Sequence, residues 1–520
     1  MKIVTIAEMQ KAERDSAQYG ISLSQLMENA GKAVAEETRR ILGNLSLQNI
    51  LILVGPGNNG GDGLVAARYL FDWGAVRTKV LSCGKRPAED VNLDAVLKRG
   101  IPYKELESDY NLSKFNEWLA EATAVLDAFF GTGKRRNLEG TFADVLNYIQ
   151  TARTLRPELK LIALDLPSGV DADSGAVDPA TPHFDHTVTL GFPKIGLYNL
   201  PAAEHAGKIS IVDIGLPEQL SAGLKTELLT DSAVKKMLPQ RPAVSHKGTF
   251  GRVMALVGSI NYPGAACLAC SASIRTGAGL VTLAIAQSLV RLVAPRVPEI
   301  TYLPLPESSQ GVIPGEGAKI ILKQLPQYNV LLAGCGSGQS QSIQELIRTI
   351  LLDNPLKQSM VVDADGLNCL ASLPDWAQRF RTPAVFTPHP AEMARLSGKT
   401  VQEIQNNRIE TSLQAGRLWN KVIVLKGAYT VVAAPDGRTM VSPFANAGLA
   451  SAGTGDVLAG TIAGLAAQGL ELFEAAVCGV YLHALAAELA KKELGDAGML
   501  ASDLLPLLPK SLKQLKEKVF

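Results

Sequence analysis

The sequence predicts two tandem α/β domains, and three observations lead to this fold class. The chain has 520 residues, which is more than one folding unit at roughly 150 residues per domain. Apolar residues make up 47% of it and charged residues 19%, so there is enough apolar material for large buried cores. Short apolar runs alternate with helical patterns in both halves, the order expected of parallel sheets covered by helices.

In the first half, most of the apolar runs end in Gly, Asp or Pro-Ser-Gly, where a loop leaves the carboxyl edge of a parallel sheet. Residues 6–42 predict helix, with Gly20 and Gly31 as possible breaks. The predicted strands are residues 50–54, 78–81, 124–129, 161–164, 187–190 and 209–212.

The stretch 216–248 contains Pro217, Pro239 and Pro242 and two short polar segments, and it interrupts the alternation of strands and helices. This change predicts a domain boundary near residues 221–231. We therefore expect domains at 1–220 and 225–520. Beyond the boundary, the predicted strands are residues 252–257, 280–285, 330–333, 360–362, 385–387 and 422–424. A hairpin (429–433 and 439–441, turning at 435–437) and two Ala-rich helices (457–468 and 472–493) follow.

Composition excludes several classes of protein. The 51 basic and 50 acidic residues give a net charge of +1, without the basic surplus of a nucleic-acid binder. The six cysteines are scattered and do not form a disulfide framework, which favours a reducing compartment. The first ten residues lack a signal-peptide core, and the longest weakly polar run, 457–470, is too short to span a bilayer. We expect a cytoplasmic protein with no nucleic-acid or membrane partner.

A Gly-rich segment, 55–63, follows the first predicted strand and opens a helix. Its glycines match the G-x-G-x-x-G pattern of dinucleotide folds. A dehydrogenase would place an acid at the end of the second strand, where residues 82–86 carry bases instead. Asp62 would repel a phosphate and suits proton transfer or a cation site. A plain capped turn and a dehydrogenase both remain open alternatives at this point.

Two further strand ends bring carboxylates to the same edge. Asp127 precedes a loop, 131–137, whose backbone donors and bases suit phosphates. Asp165 begins the segment Asp165-Leu-Pro-Ser168. Asn59, Asp127 and Ser168 could give a hard cation oxygen ligands from three loops.

The strongest signal in the second half is Gly453-Thr454-Gly455-Asp456, a Gly-x-Gly turn that opens a helix. Its backbone N–H groups and the helix dipole both favour a phosphate. Asp456 is placed to take a proton from a hydroxyl that attacks a terminal phosphate. Residues 426–430 end a strand and could hold a nucleotide. A plain helix start is the alternative for 453–456, and a plain β-turn is the alternative for 426–430. The spacing of these motifs alone supports no more than nucleotide-dependent phosphoryl transfer.

Three weaker signals lie in the same half. His389 lies between two prolines, where it cannot belong to a regular helix, although a solvent-facing loop histidine is the alternative. His483 has helical spacing among apolar residues and is predicted to be a core histidine. The segment 363–365 ends a strand with two acids and could assist a Mg²⁺–phosphate contact.

The first-half motifs resemble those of the NAD(P)H-hydrate epimerase domain, over about residues 1–217. The resemblance implies a Rossmann-like three-layer domain that epimerises hydrated nicotinamide cofactor at C6 and binds K⁺ through Asn59, Asp127 and Ser168. Asp62 and Asp165 would be catalytic. The implied hydrate contacts are Asn58, Asn59, Gly60, Gly61, Asp62, Gly131, Thr132, Gly133, Lys134, Arg135, Arg136, Asn137 and Asp165.

The second half, 228–515, resembles the ADP-dependent NAD(P)H-hydrate dehydratases of the ribokinase-like superfamily. The motifs that carry this likeness are 245–251, 258–259 with 263–265, 387–392, 426–430 and 453–456. The resemblance implies Mg²⁺ with ADP as cofactor and Asp456 as the catalytic base. Hydrate contacts would be Ala265, Gly336, His389 and Asp456, and nucleotide contacts Lys426, Gly427, Ala428, Tyr429, Thr430 and Gly455.

Together the halves resemble the bifunctional NAD(P)H-hydrate repair enzymes. Such an enzyme interconverts the R and S hydrates and dehydrates the S form at the expense of ADP, giving AMP and phosphate. Its expected partners are the hydrates of NADH and NADPH, ADP or ATP, and further copies of the chain. Two rivals remain: a ribokinase-like vitamin-precursor kinase fused to a Rossmann-like domain, and a nucleotide-sensing scaffold.

Overall fold

The computed structural model of the chain describes residues 1–106, 112–133, 137–495 and 497–517. These residues form two compact units, each with its own sheet. The first unit covers residues 2–224, and the second contains Met1 and the chain from Lys225 onward.

The first unit is built on a seven-stranded parallel sheet. Its strands are β1 (Ile50–Val54), β2 (Lys79–Cys83), β3 (Tyr103–Leu106), β4 (Ala124–Ala128), β5 (Lys160–Leu164), β6 (His186–Leu190) and β7 (Lys208–Val212). Its helices are α1 (Ile6–Asp15), α2 (Leu23–Leu42), α3 (Asn58–Asp72), α4 (Val91–Lys98), α5 (Ser113–Glu121), α6 (Thr141–Leu155) and α7 (Ala202–His205). The strand order β3-β2-β1-β4-β5-β6-β7 reverses direction between β1 and β4, where doubly wound folds bind ligands.

Side chains of β1 alternate between two cores, one on each face of this sheet. Ile50, Ile52 and Val54 pack in the core that α2, α3 and α4 cover. Leu51 and Leu53 pack in the core that α5 and α6 cover. Since successive strand residues point to opposite faces, a continuous apolar run requires cover on both. The unit is therefore the Rossmann-like three-layer domain predicted from the sequence.

Helix α2 runs unbroken through Gly31, so the predicted break there is wrong. A Cβ atom at Gly31 would lie 2.4 Å from Val65 Cβ and 2.7 Å from the Asp62 carbonyl oxygen. The glycine thus allows α2 and α3 to approach closely. The other predicted break is correct, because Gly20 has a left-handed φ of 81° and ends the turn before α2.

The second unit is built on a ten-stranded sheet of order β11-β10-β9-β12-β13-β14-β15-β16-β17-β8. These strands are β8 (Thr226–Leu228), β9 (Arg252–Leu256), β10 (Leu280–Ala286), β11 (Thr301–Leu305), β12 (Val330–Ala333), β13 (Ser359–Val362), β14 (Ala384–Phe386), β15 (Val422–Leu425), β16 (Val431–Ala433) and β17 (Thr439–Val441). Neighbours pair in parallel except along the β15–β16–β17 meander, which contains the predicted hairpin.

Helices surround this sheet, giving the ribokinase-like α/β architecture. They are α8 (Asp231–Met237), α9 (Pro263–Arg275), α10 (Gln287–Val293), α11 (Gly317–Gln324), α12 (Gln341–Leu351), α13 (Asp365–Ala371), α14 (Trp376–Arg379), α15 (Pro390–Ser397), α16 (Val401–Asn406), α17 (Arg408–Trp419), α18 (Thr454–Ala467), α19 (Leu472–Leu494) and α20 (Ala501–Glu517). Within the described part of the chain, α19 alone is long and apolar enough to cross a membrane. Its most apolar stretch is 78% buried inside the unit, as in a core helix.

Candidate functional site

The first candidate site lies at the carboxyl ends of β1, β4 and β5. Asn58 to Asp62, expected in a loop, instead form the first turns of α3, with Gly57 as the N-cap. Asp127 lies near the end of β4, and Asp165 directly follows β5. Since the strand order reverses between β1 and β4, this edge opens the crevice in which ligands of doubly wound folds bind.

Asp127 and Ser168 form one buried hydrogen-bonded pair. The Ser168 hydroxyl donates to Asp127 Oδ1 at 2.8 Å, and the Ser168 amide donates to Oδ2 at 2.9 Å. The Phe129 amide donates to Oδ1 at 3.1 Å. Burial raises the pKa of Asp127 to about 6, although these hydrogen bonds act to lower it. Among the described residues, no cationic side chain helps to lower that pKa.

Asn59 and Asp165 meet on either side of Gly131. A Cβ atom at Gly131 would lie 2.8 Å from Asn59 Oδ1 and 3.2 Å from Asp165 Oδ2. The Asn59 amide donates to the Leu164 carbonyl at 3.3 Å. The structure therefore brings together residues from three predicted segments, 58–62, 131–137 and 165–168.

Asp165 is held by Lys194, a residue that sequence reasoning missed. The Lys194 ammonium is fully buried and pairs with Asp165 Oδ1, which also accepts from the Thr189 hydroxyl at 3.2 Å and the Leu190 amide at 3.1 Å. Asp165 has a left-handed φ of 68°, which is strained for a residue with a side chain. The sequence feature that could have identified Lys194 is its position as a charged residue inside the weakly polar run 190–198.

Asp62 faces the same cleft, but its surroundings differ from those of Asp165. Its side chain is buried, and burial, with the negative charges of Asp165 and Glu13, raises its pKa well above the ordinary value. Asp165 pairs directly with Lys194, whereas the positive charges of Lys194 and Arg86 only partly offset the rise in the pKa of Asp62.

Arg86, one of the bases at the end of β2, binds the backbone of the Gly-rich segment. Its guanidinium donates to the carbonyls of Gly55 at 2.7 Å and Gly57 at 2.8 Å, and pairs with Asp90. The side chain therefore holds the Gly-rich segment in place. This role leaves the dehydrogenase alternative without support at this position.

The described residues of the segment 131–137 are more exposed than the carboxylates of the first site. Gly131 and Thr132 are half-buried, Gly133 is exposed, and the Thr132 carbonyl accepts from Gln10 at 3.1 Å. Asn137 is exposed and lines a groove with Gly169 and Asp178. Lys134, Arg135 and Arg136 lie outside the described residues.

The second candidate site surrounds the start of α18. Gly453, with a φ of 90°, caps this helix, and a Cβ atom at Gly455 would lie 3.4 Å from Lys426 Nζ and 3.8 Å from Asp363 Oδ2. His483 is buried, as predicted, and donates from Nε2 to the Thr454 carbonyl at 2.9 Å. Burial lowers its pKa to about 4, so the imidazole that holds this turn is neutral.

Lys426 and Asp363 form the charged centre of this site. Lys426 Nζ lies 2.6 Å from Asp363 Oδ1, which also accepts from the Thr387 hydroxyl at 2.6 Å. A second carboxylate, Glu392, lies 3.7 Å from the same ammonium. The sequence marked 363–365 only as an aid to a magnesium contact, although Asp363 is one of the most buried acids in the unit, with 1% exposure.

Asp456 lies in the first turn of α18, close to this pair. Its carboxylate, Asp363 and the Cys335 thiol place one atom each within 4.8 Å of one another. Burial, with the negative charge of Asp363, raises the pKa of Asp456 to about 7. A carboxylate with such a pKa can accept a proton and release it near neutral pH.

The other predicted contacts are distributed around the turn. His389 caps α15: its Nδ1 accepts from the amides of Ala391 at 3.1 Å and Glu392 at 3.3 Å, while its side chain is 46% exposed. A Cβ atom at Gly336 would lie 2.8 Å from Ala265 Cβ, so these two residues adjoin. In the segment 426–430, the Thr430 hydroxyl donates to the Gly427 carbonyl at 2.8 Å; Ala428 and Tyr429 lie between them.

Two family profiles match the chain, one in each unit. A profile described as YjeF-related protein N-terminus matches residues 23–196. A profile described as NAD(P)H-hydrate dehydratase matches residues 253–510.

Relatives match over the full length. The chain is 40% identical to a bifunctional NAD(P)H-hydrate repair enzyme of Moorella thermoacetica, covering 100% of this chain and 98% of the relative. Enzymes of the same name from Thermofilum pendens and Escherichia coli are 35% and 32% identical, over 99% and 96% of this chain and 97% and 92% of theirs. A crystal structure of ADP/ATP-dependent NAD(P)H-hydrate dehydratase from Bacillus subtilis, with ATP and Mg²⁺, is 33% identical, covers 56% of this chain and 98% of its own, and has a TM-score of 0.49.

Proposed function

Because the chain belongs to the family of bifunctional NAD(P)H-hydrate repair enzymes, we propose that its first unit epimerises hydrated NADH and NADPH and its second unit dehydrates the S form. The dehydration consumes ADP and yields NAD(P)H, AMP and phosphate. The observation that carries this assignment is the match of full-length relatives across both units, each of which contains its own cluster of buried carboxylates.

Epimerisation requires that the C6 hydroxyl leave and return on the other face of the ring. The ring nitrogen can expel it as water if a proton is supplied, and a water molecule can then add to the resulting iminium. We assign the proton donation to Asp62, whose raised pKa favours the protonated form, and the proton acceptance to Asp165, which faces the Lys194 ammonium. Asn58 to Gly61 and the segment 131–137 would contact the hydrate.

Asn59, Asp127 and Ser168 would hold the potassium ion. The residues fit such an ion, because they offer only oxygen ligands and Asp127 is a buried carboxylate without a cationic partner among the described residues. When bound, the ion would supply the missing positive charge beside Asp127. The hydrogen bonds from Ser168 to Asp127 already fix one side of this arrangement.

Dehydration requires a better leaving group than hydroxide. Asp456 would remove the proton of the C6 hydroxyl, whose oxygen would then attack the terminal phosphate of ADP and displace AMP. The ring nitrogen would next push phosphate out, and loss of the C5 proton would restore the double bond. Gly455 and residues 426–430 would bind the nucleotide, and Ala265, Gly336 and His389 the hydrate.

Magnesium would enter this site with the nucleotide, held by its phosphate oxygens. Among the described residues, Cys335, Asp363 and Asp456 lie close enough to share an ion. However, Asp363 Oδ1 already faces the Lys426 ammonium, and a thiol is a soft ligand that magnesium does not favour. The described residues therefore provide no closed cage here, which is typical of magnesium in nucleotide sites.

We further propose a cytoplasmic location and a homo-oligomeric state. The six cysteines are free, which agrees with a reducing compartment. Light scattering of the purified chain would measure the oligomeric state.

One assay tests the proposed function against both rivals. The protein is incubated with NADH hydrate and ADP, and the absorbance of the reduced nicotinamide is followed. Recovery of absorbance is the expected result. A stable phosphorylated product without recovery would establish a kinase, and binding without turnover would establish a sensor.

A further inference from the structure

Arg408 is a buried cation that lies against the proposed nucleotide segment, 426–430. It is the first residue of α17, and only 2% of it is exposed. Its Nη2 donates to the Leu425 carbonyl at 2.9 Å and to the Lys426 carbonyl at 3.1 Å. A Cβ atom at Gly427 would lie 3.1 to 3.4 Å from the guanidinium atoms. Gly427 itself is exposed, so this charge lies directly behind the surface of the segment.

The charge of Arg408 has no counter-ion among the described residues. Its hydrogen-bond acceptors are two backbone carbonyls and the amide oxygen of Gln405, which Nη1 reaches at 2.7 Å, and all three are neutral. Its buried Nε has no hydrogen-bond partner. Burial alone lowers its pKa, to about 10, and no nearby carboxylate opposes this shift.

An uncompensated buried cation is costly, and proteins rarely keep one for packing alone. A neutral side chain such as glutamine could donate to the same carbonyls without the cost of desolvating a charge. The positive charge therefore requires a separate explanation. The face of Gly427 that is open to solvent is where a nucleotide would approach under the proposed function.

We propose that Arg408 determines the specificity of the nucleotide site, its charge favouring nucleotides with anionic phosphates over the uncharged nucleoside. The guanidinium lies behind the backbone of Gly427, so its charge would attract the phosphates without touching them. Arg408 is therefore a positioning residue and not a direct ligand contact. This inference rests on the proposed function, because it takes residues 426–430 to be the nucleotide segment. Across a separation on the order of 10 Å, one buried charge would change affinity for an anionic ligand roughly 10- to 30-fold.

The test compares ADP with adenosine by titration calorimetry, using the full-length chain and Arg408→Met. We expect ADP binding to weaken roughly 10- to 30-fold and adenosine binding to stay within about twofold. Arg408→Lys should keep most of the preference for ADP, because it keeps the charge. Equal losses for both ligands would mean that Arg408 only shapes the segment, and no loss would mean that its charge is irrelevant; either result overturns the inference.

Lys421 supplies a matched control, because it is also a buried cation with a lowered pKa, about 8, at the opposite end of β15. Lys421→Met should leave the ratio of ADP to adenosine affinity unchanged, and an equal fall in that ratio would overturn the inference. If Arg408→Met fails to fold by circular dichroism, Arg408→Gln gives the same comparison. Absence of ADP binding by the unaltered chain would instead contradict the proposed function, which keeps the two failures distinct.

Discussion

Lys426 Nζ lies 2.6 Å from Asp363 Oδ1, and this ion pair joins the end of β13 to the end of β15 beside the start of α18. Asp363 is 1% exposed and Lys426 17% in their side chains, so the pair is largely removed from water. The ammonium is the positive charge nearest to Gly455 in the described structure, where a phosphate would bind. The pair that we expect to stabilise the second unit therefore lies where we propose that the nucleotide binds.

Replacing Lys426 should destabilise the second unit. Lys426→Met leaves Asp363 and Glu392 buried without their cation, and breaking a buried pair typically costs about 3–5 kcal/mol. The measurement is the free energy of unfolding in denaturant. Lys513→Ala, which removes an exposed pair with Glu517 in α20, should cost at most about 1 kcal/mol. Equal costs for the two variants would contradict the central role of the Lys426 pair.

Asp456→Asn should slow dehydration strongly and spare epimerisation. Loss of a positioned general base costs about 10²–10⁴-fold in rate, while asparagine keeps the size of the side chain at the start of α18. Both activities are measured on one preparation, dehydration by absorbance recovery and epimer exchange by NMR. Dehydration within about threefold of the unaltered enzyme would exclude Asp456 as the base. Loss of both activities would indicate a folding defect.

The rate of dehydration should rise with pH through about 7. Burial raises the pKa of Asp456 to about 7, so the carboxylate is protonated at lower pH and cannot accept the hydroxyl proton. The measurement is kcat for absorbance recovery at a series of pH values. The residual activity of Asp456→Asn should lack this inflection. An unchanged rate between pH 5.5 and 8.5 in the unaltered enzyme would assign the proton transfer to another group.

Potassium should accelerate epimerisation, and Asp127→Asn should remove that response. The substitution keeps the size of the side chain but removes the charge that would bind the ion. Epimer exchange is followed by NMR with and without potassium. Asp185→Asn is the control, because Asp185 pairs with Arg153 and precedes β6 at the opposite edge of the sheet. A full potassium response in Asp127→Asn would remove the cation proposal.

Fragments 1–220 and 225–520 should each fold, because each covers nearly all of one compact unit. We expect the first fragment to keep epimerase activity and the second to dehydrate one epimer only. Circular dichroism and the two assays measure this. Failure of both fragments to fold would place the boundary elsewhere.

Strands covered on both faces were predictable because their residues are apolar without interruption. Edge strands β3, β8 and β11 were missed, since one uncovered side lets polar residues or proline enter, as in Thr301–Leu305. Helix α20 was missed because it contains Pro506 and Pro509, which ordinarily end a helix.

Within the sites, glycine patterns, carboxylates at strand ends and Lys426 were visible, whereas Lys194 and the pairing of Lys426 with Asp363 were not. Lys194 lies 29 residues after Asp165, and Lys426 lies 63 after Asp363. No local periodicity connects residues at such separations. Only the strand order brings them to one edge of a sheet.

The close approach of α2 and α3 at Gly31 limits how this protein can be engineered for thermostability. Replacing a mid-helix glycine by alanine ordinarily gains about 1 kcal/mol in helix propensity, and a design procedure based on propensity would select Gly31 first. Here the added methyl group would meet Val65 Cβ at 2.4 Å and the Asp62 carbonyl at 2.7 Å. Since α3 also carries Asn59, a shift of α3 that relieved the clash would displace residues of the first site. A substitution chosen to strengthen one helix would therefore impair the enzyme at residues it does not alter.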